Sequence, residues 1–226
     1  YKRQLYRLLN QVKKAYPEVS IETCASGGGR VDLGILEYTS RVWPSDTNDA
    51  LDRLRVQRGF QNLFPSELMG SHVGPSPCHI TGRQHSMAFR AGVAFWGHMG
   101  VEADVRQLSD ADRQVLSEAI ALHKHHRELI HGGTYQVVDR PAGEQAWIVL
   151  APDHSEALAA LAMLETPSTP FPNRYRFIGL DADRYYELKL VWPGDLRPKQ
   201  KNHKDELSDA HWLSLIHISE PTRPLD

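Results

Sequence analysis

The feature that most constrains the fold is a change of rhythm at Gly132-Gly133. Before it, short strand-like runs alternate with helices. Leu5, Leu8, Leu9 and Val12 mark an amphipathic helix over residues 2–15, ended by Pro17, and a strand is expected at Val19 to Cys24. A short helix over Leu33 to Thr39 follows, then a strand at Arg41 to Trp43 and a helix from Ala50 to Arg58, with Leu51, Leu54 and Val56 among its apolar residues. Residues 87–96 are apolar enough for a buried strand or a short helix. Ser109 caps a long helix that runs to about His131, with Asp110 and Asp112 in its first turn. This alternation predicts βα units around a parallel sheet.

After Gly133 the strand-like runs come without helices: Tyr135 to Val138, Ala146 to Leu150, Leu158 to Leu164 and Tyr185 to Val191. Tyr186, Leu188, Leu190 and Trp192 alternate with Glu187 and Lys189, the pattern of a half-buried antiparallel strand. The chain therefore divides into an α/β part over residues 1–133 and an all-β part over 134–195. Residues 196–226 read as a polar, disordered tail. Its end, from Leu213 to Asp226, resembles cloning or sequencing read-through and is expected to stay outside the fold.

Composition narrows the function classes. The 26 Lys and Arg are scattered among 28 Asp and Glu, for a net charge of −2, so no basic face is offered to nucleic acid. No apolar run approaches the roughly 20 residues that cross a bilayer. Cys24 and Cys78 make no disulfide framework, which points to a reducing compartment, the cytoplasm. The chain opens within a helix and without Met, so its natural start is expected upstream. His123 and His126 lie one helical turn apart, but no acidic or Cys neighbour completes a ligand set, and no metal or other cofactor is assigned.

Two loops carry candidate chemistry, each just after a predicted strand, where the loops of α/β proteins build their sites. In Cys24-Ala25-Ser26-Gly27-Gly28-Gly29-Arg30 the glycines let a ligand approach the backbone. No Gly-Lys-Ser/Thr ending follows, which weakens a phosphate cradle against a sugar-hydroxyl cradle; a plain tight turn fits equally well. In Trp43-Pro44-Ser45-Asp46-Thr47-Asn48-Asp49, the indole and proline could desolvate the Asp46 carboxyl, as a general acid requires. Trp43 would be an apolar wall or a sugar-stacking platform. Against this, Asp46 or Thr47 could simply cap the helix beginning near Ala50, unless Asp49 takes that role. Asp32, Asp49 and Asp52 otherwise read as solvated or capping carboxylates.

Taken together, Cys-x-Ser-Gly-Gly-Gly-Arg and, 22 residues after its Cys, the Asp of Trp-x-Ser-Asp-Thr-Asn-Asp resemble the α-galactosidases of glycoside hydrolase family 36. Leu54 to Gly59, Met69 to Val73, Thr81-Gly82-Arg83 and Phe89 to Gly100 resemble family segments in the same order, so the resemblance spans residues 1–195. It implies the C-terminal half of a (β/α)8 barrel followed by an antiparallel β-sandwich, and release of terminal α-linked galactose with retention. By motif position Asp46 matches the general acid/base, Cys24 a residue of the galactose subsite, and Gly27 a backbone contact to a sugar hydroxyl. Ser26 and Trp43 are their neighbours, and His72 lies near the rim. The implied partner is an α-galactoside oligosaccharide, and the full-length protein is expected to be a homo-oligomer.

The family's nucleophile belongs to a Lys-x-Asp segment on an earlier strand, and no such segment precedes the opening helix. A retaining glycosidase needs two carboxylates about 5–5.5 Å apart, so this chain alone is expected to be inactive. With half a barrel's edges and apolar face uncovered, it is also expected to aggregate. The same scaffold would serve an α-N-acetylgalactosaminidase, a galactosyl-transferring relative or a non-catalytic carbohydrate-binding protein.

Overall fold

The computed structural model describes residues 2–165, 173–193 and 212–220. Its first part alternates as expected. Helix α1 (Lys2–Ala15) leads to strand β1 (Glu22–Thr23), α2 (Leu33–Leu36), β2 (Arg41–Val42), α3 (Ala50–Gln61), β3 (Gly70–Val73), α4 (Met87–Ala94), β4 (His98–Val101) and α5 (Asp110–Gly132). β1 pairs with β2 and β3 with β4, all parallel, and a parallel bridge from Val42 to Met69 joins the two pairs. The run 87–96 resolves in favour of a helix, capped by Ser86, whose hydroxyl accepts from the Phe89 amide. Two strands lie where no strand was expected: β3 within the Pro- and Gly-rich stretch after Leu68, and β4 in the glycine-flanked His98-Met99 segment. Neither has the run of β-branched residues that marks a strand in sequence; their parallel pairing is what makes them strands.

The starts of α2, α3, α4 and α5 are each fixed by a side chain. Asp32 accepts from the Ile35 amide at α2, and Ser109 from the Asp112 amide at α5. Helix α5 ends at Gly132, where the Gly133 amide donates to the Leu129 carbonyl.

From Thr134 the chain is antiparallel. Strands β5 (Thr134–Val138), β6 (Glu144–Leu150), β7 (Glu156–Met163), β8 (Glu187–Trp192) and β9 (Trp212–Ser219) form one sheet in the order β5-β6-β7-β9-β8. Among the described residues this is a single five-stranded sheet. Position β9 corrects the reading that left residues 213–226 outside the fold, because Leu213–Ser219 lies between β7 and β8, hydrogen-bonded to both. The physical reason is alternation: Leu213 and Leu215 turn to one face and Ile216 and Ile218 to the other, with Leu215 and Ile218 fully buried. The polar stretch 196–211 and residues 221–226 lie outside the described residues.

The sheet's two faces differ in what they bury. Trp147, Val149, Leu158 and Ala160 face the helices, where they join Phe95 and Trp96 of the segment after α4 and Leu116 and Ile130 of α5 in the main core. The Trp96 and Trp147 rings meet edge to face, centroids 5.2 Å apart. Ala146, Ile148, Leu150 and Ala157 point the other way, toward Tyr175 and Phe177. At the edge strand β8 the expected half-burial is realised at Trp192, which is buried, but not at Leu188 and Leu190, which are about half exposed, 52% and 50%. Helix α1 likewise buries none of its residues, so its apolar stripe is covered only partly by the described residues.

Candidate active site

The C-terminal ends of the four parallel strands lie side by side, and Cys24, Trp43, Asp46, His72 and Glu102 belong to them or to the segments just after. Cys24 follows β1; Trp43 and Asp46 follow β2; His72 is within β3; Glu102 follows β4. Asp46 is exposed, and its carboxylate Oδ1 accepts from the Cys24 thiol at 3.9 Å. The two loops that the sequence separates by 22 residues are thus one surface.

Their contact depends on glycine. Gly27 has φ +62°, and a Cβ there would lie 2.5 Å from the Asp46 amide nitrogen and 2.8 Å from Ser45 Cα. Gly28, at φ +91°, would collide in the same way with the Pro44 carbonyl oxygen, at 2.7 Å. The glycines therefore let the first loop lie directly against the backbone that carries Asp46, quite apart from any ligand. Ser26 is exposed and itself left-handed, at φ +51°.

Trp43 is buried rather than open. The Arg53 guanidinium lies 4.8 Å from its ring centroid and the His72 imidazole 4.3 Å away, so the indole is packed against both. It does not bury Asp46, and the desolvation inferred from their closeness in sequence is not in place in this chain. The helix-cap question resolves clearly. Asp49, with no exposed surface, accepts from the Leu51 and Asp52 amides at 3.0 and 3.1 Å and caps α3, leaving Asp46 free of that duty. Burial alone would raise the Asp49 carboxyl; donors from Thr81, the Asp52 amide and Arg83 outweigh it and hold it below the usual range.

Three residues of this region went unread. Glu102 accepts from Asn48 Nδ2 at 2.6 Å and pairs with His72 Nδ1 at 3.0 Å, tying the ends of β2, β3 and β4 together. Burial opposes the Glu102 charge, but those hydrogen bonds prevail and lower its pKa. Nothing in sequence marks it. Arg53 and Gln57 did leave a signal: with Ala50, Leu54 and Phe60 they occupy one helical face by spacing, and α3 buries that face. Gln57 donates to the Val93 carbonyl at 2.9 Å and accepts from Ser71 at 2.7 Å.

His123 and His126 are buried in α5. His123 Nδ1 bonds the Phe95 carbonyl at 3.0 Å, and burial pulls its pKa down to about 4. His126 is likewise brought to about 4 by burial. Among the described residues no group of three or more His, Cys, Asp or Glu has the arrangement of a metal site.

Residues 1–133, more than half the chain, match the Melibiase family. The chain belongs to that family. Over 190 residues this melibiase-family chain is 43% identical to an α-galactosidase of Escherichia coli, covering 84% of itself and 27% of that relative. It is 34% identical over 199 residues to the α-galactosidase AgaA of Geobacillus stearothermophilus, again 27% of the relative's length. A crystal structure of a variant of that family 36 enzyme with raffinose superposes with a TM-score of 0.85, at 30% identity, over 96% of this chain and 31% of that one. An α-galactosidase from Lactobacillus brevis does so with a TM-score of 0.86, at 28% identity, over 98% of this chain and 32% of the other. The chain thus spans about 27% of the length of the curated relatives it matches. No helix among the described residues is long and apolar enough to cross a membrane.

Proposed function

We propose that this chain carries the acid/base half of a retaining α-galactosidase site, and that the complete protein releases terminal α-linked galactose from oligosaccharides such as melibiose or raffinose. The observation that carries the reading is the 3.9 Å contact between Cys24 and Asp46, backed by Gly27 lying against the Asp46 amide. In the first step Asp46 gives its proton to the leaving oxygen while a carboxylate outside this chain attacks the anomeric carbon. In the second, Asp46 takes a proton from the water that opens the galactosyl-enzyme. Cys24, Ser26 and the Gly27 loop line the galactose subsite, and Trp43 walls it. The four parallel strands are read as part of a (β/α)8 barrel and the antiparallel sheet as part of a following β-sandwich, with the division at residue 133. A cytoplasmic homo-oligomer completes this reading, its compartment inferred from the two free thiols.

Asp46→Ala in the complete protein tests the role. Removing a general acid is expected to cost roughly 10²–10⁴-fold on raffinose. An activated aryl α-galactoside, whose leaving group needs no proton, should lose far less in its cleavage step. Equal losses on both substrates would refute the assignment.

A further inference from the structure

Arg53 is a buried cation that the proposed reaction leaves unused. It is 1% exposed, and burial lowers its pKa only to about 10, so it is charged at neutral pH. It forms no ion pair among the described residues; Glu102 supports its charge only through longer-range attraction. Its guanidinium instead bonds backbone. Nη2 donates to the Gly70 carbonyl at 2.6 Å and Nη1 to the Ser45 carbonyl at 3.3 Å, while the cation lies against the Trp43 ring. Burying a charge without a carboxylate is costly, and what this one secures is the residue immediately before Asp46.

The same backbone is also approached closely by Gly27, where a Cβ would strike the Asp46 amide and Ser45 Cα. The Ser45-Asp46 segment therefore has two neighbours that limit its position, a glycine loop packed against it and a guanidinium bonded to the Ser45 carbonyl. The Asp46 side chain itself is exposed and contacts Cys24 at 3.9 Å, so its aim is set mainly through its backbone. A general acid must lie within hydrogen-bond reach of the leaving oxygen, and misplacement by about 1 Å can cost 10²-fold. We infer that Arg53 is a positioning residue for Asp46, acting through the Ser45 carbonyl. This rests on Asp46 being the acid/base.

The experiment compares Asp46→Ala, Arg53→Met and Arg53→Lys in the complete protein, each with raffinose and with a dinitrophenyl α-galactoside. Methionine keeps volume and removes every donor; lysine keeps the charge and can reach only one carbonyl at a time. Arg53→Met is expected to lower kcat/KM on raffinose by about tenfold or more and on the activated substrate by less than about threefold, with Arg53→Lys recovering part of the loss. Circular dichroism establishes which variants fold. If Arg53→Met does not, Arg53→Lys carries the test with the same but smaller split. A folded Arg53 variant that slows both substrates equally, or neither, overturns the inference while leaving Asp46 intact. Should Asp46→Ala itself show no split, the acid/base reading falls and this inference with it.

Discussion

Around Asp46 the interior is held by polar ties from Arg53, Gln57 and Asp49, whereas around Trp147 it is held by apolar side chains. In the first region buried donors and acceptors grip particular carbonyls and amides: Ser45, Gly70, Val93, Leu51. In the second, Trp96, Trp147, Val149, Leu158 and Leu215 fill space without choosing a partner atom. Apolar packing is non-directional and tolerant of volume-conserving exchange, while a hydrogen bond fixes an atom to within a few tenths of an ångström. The contrast teaches where geometry matters. The strand ends bearing the site are built for placement, and the antiparallel sheet is built for burial.

This difference can be broken most forcefully at Trp147. Trp147→Ala removes a large core ring and is expected to cost about 3–5 kcal/mol of stability. Whatever enzyme remains folded should keep its kcat within about twofold, as read by urea unfolding and by initial rates on the same preparation. A substantial fall in kcat at unchanged fold would show that the sheet also aims the site.

Gly27→Ala is the complementary change. It places a methyl 2.5 Å from the Asp46 amide and forces alanine to φ +62°, for a stability loss of about 1–3 kcal/mol. Because the collision falls on the acid's own backbone, activity on raffinose should drop by tenfold or more. Full activity would mean that the two loops move apart without consequence, and the idea of a fixed Asp46 segment would fail.

A further expected effect concerns acid sensitivity. His123 is held down to about 4 in the fold, against an ordinary value of 6.5. Between those values the unfolded chain binds a proton that the folded one refuses. Stability should therefore fall as pH drops from about 6.5 to about 4, by no more than about 1.4 kcal/mol per pH unit for this residue, and then level off. His123→Asn keeps a donor near the Phe95 carbonyl and should flatten part of that decline in pH-dependent urea midpoints. An unchanged slope would place the acid sensitivity elsewhere, His126 being next in line.

How much of this was legible in sequence follows the same division. The antiparallel runs could be read because burial leaves a period of two, and α5 because Ser109 and its first-turn carboxylates announce it. β8 shows the limit: its alternation is genuine, yet Leu188 and Leu190 stay half exposed because the described residues supply no layer over them. β3 and β4 were hidden because four-residue parallel strands draw their stability from neighbours rather than from composition. Asp46 was singled out in sequence by its spacing from Cys24, which it meets in the fold, and the surrounding polar ties were not. Arg53 looks like Arg55 and Arg58 until helical spacing puts it on the buried face, and Glu102 meets His72 and Asn48 only through the fold.

The central claim is that Asp46 is the acid/base and not the nucleophile, and azide rescue of Asp46→Ala in the complete protein tests it directly. With an activated aryl α-galactoside the galactosyl-enzyme still forms, but no base remains to activate water. Azide needs no such base. The account predicts that added azide speeds turnover and that the product is the α-galactosyl azide, formed on the face where water would have attacked. A β-galactosyl azide would make Asp46 the nucleophile, and no acceleration would remove it from the chemistry altogether.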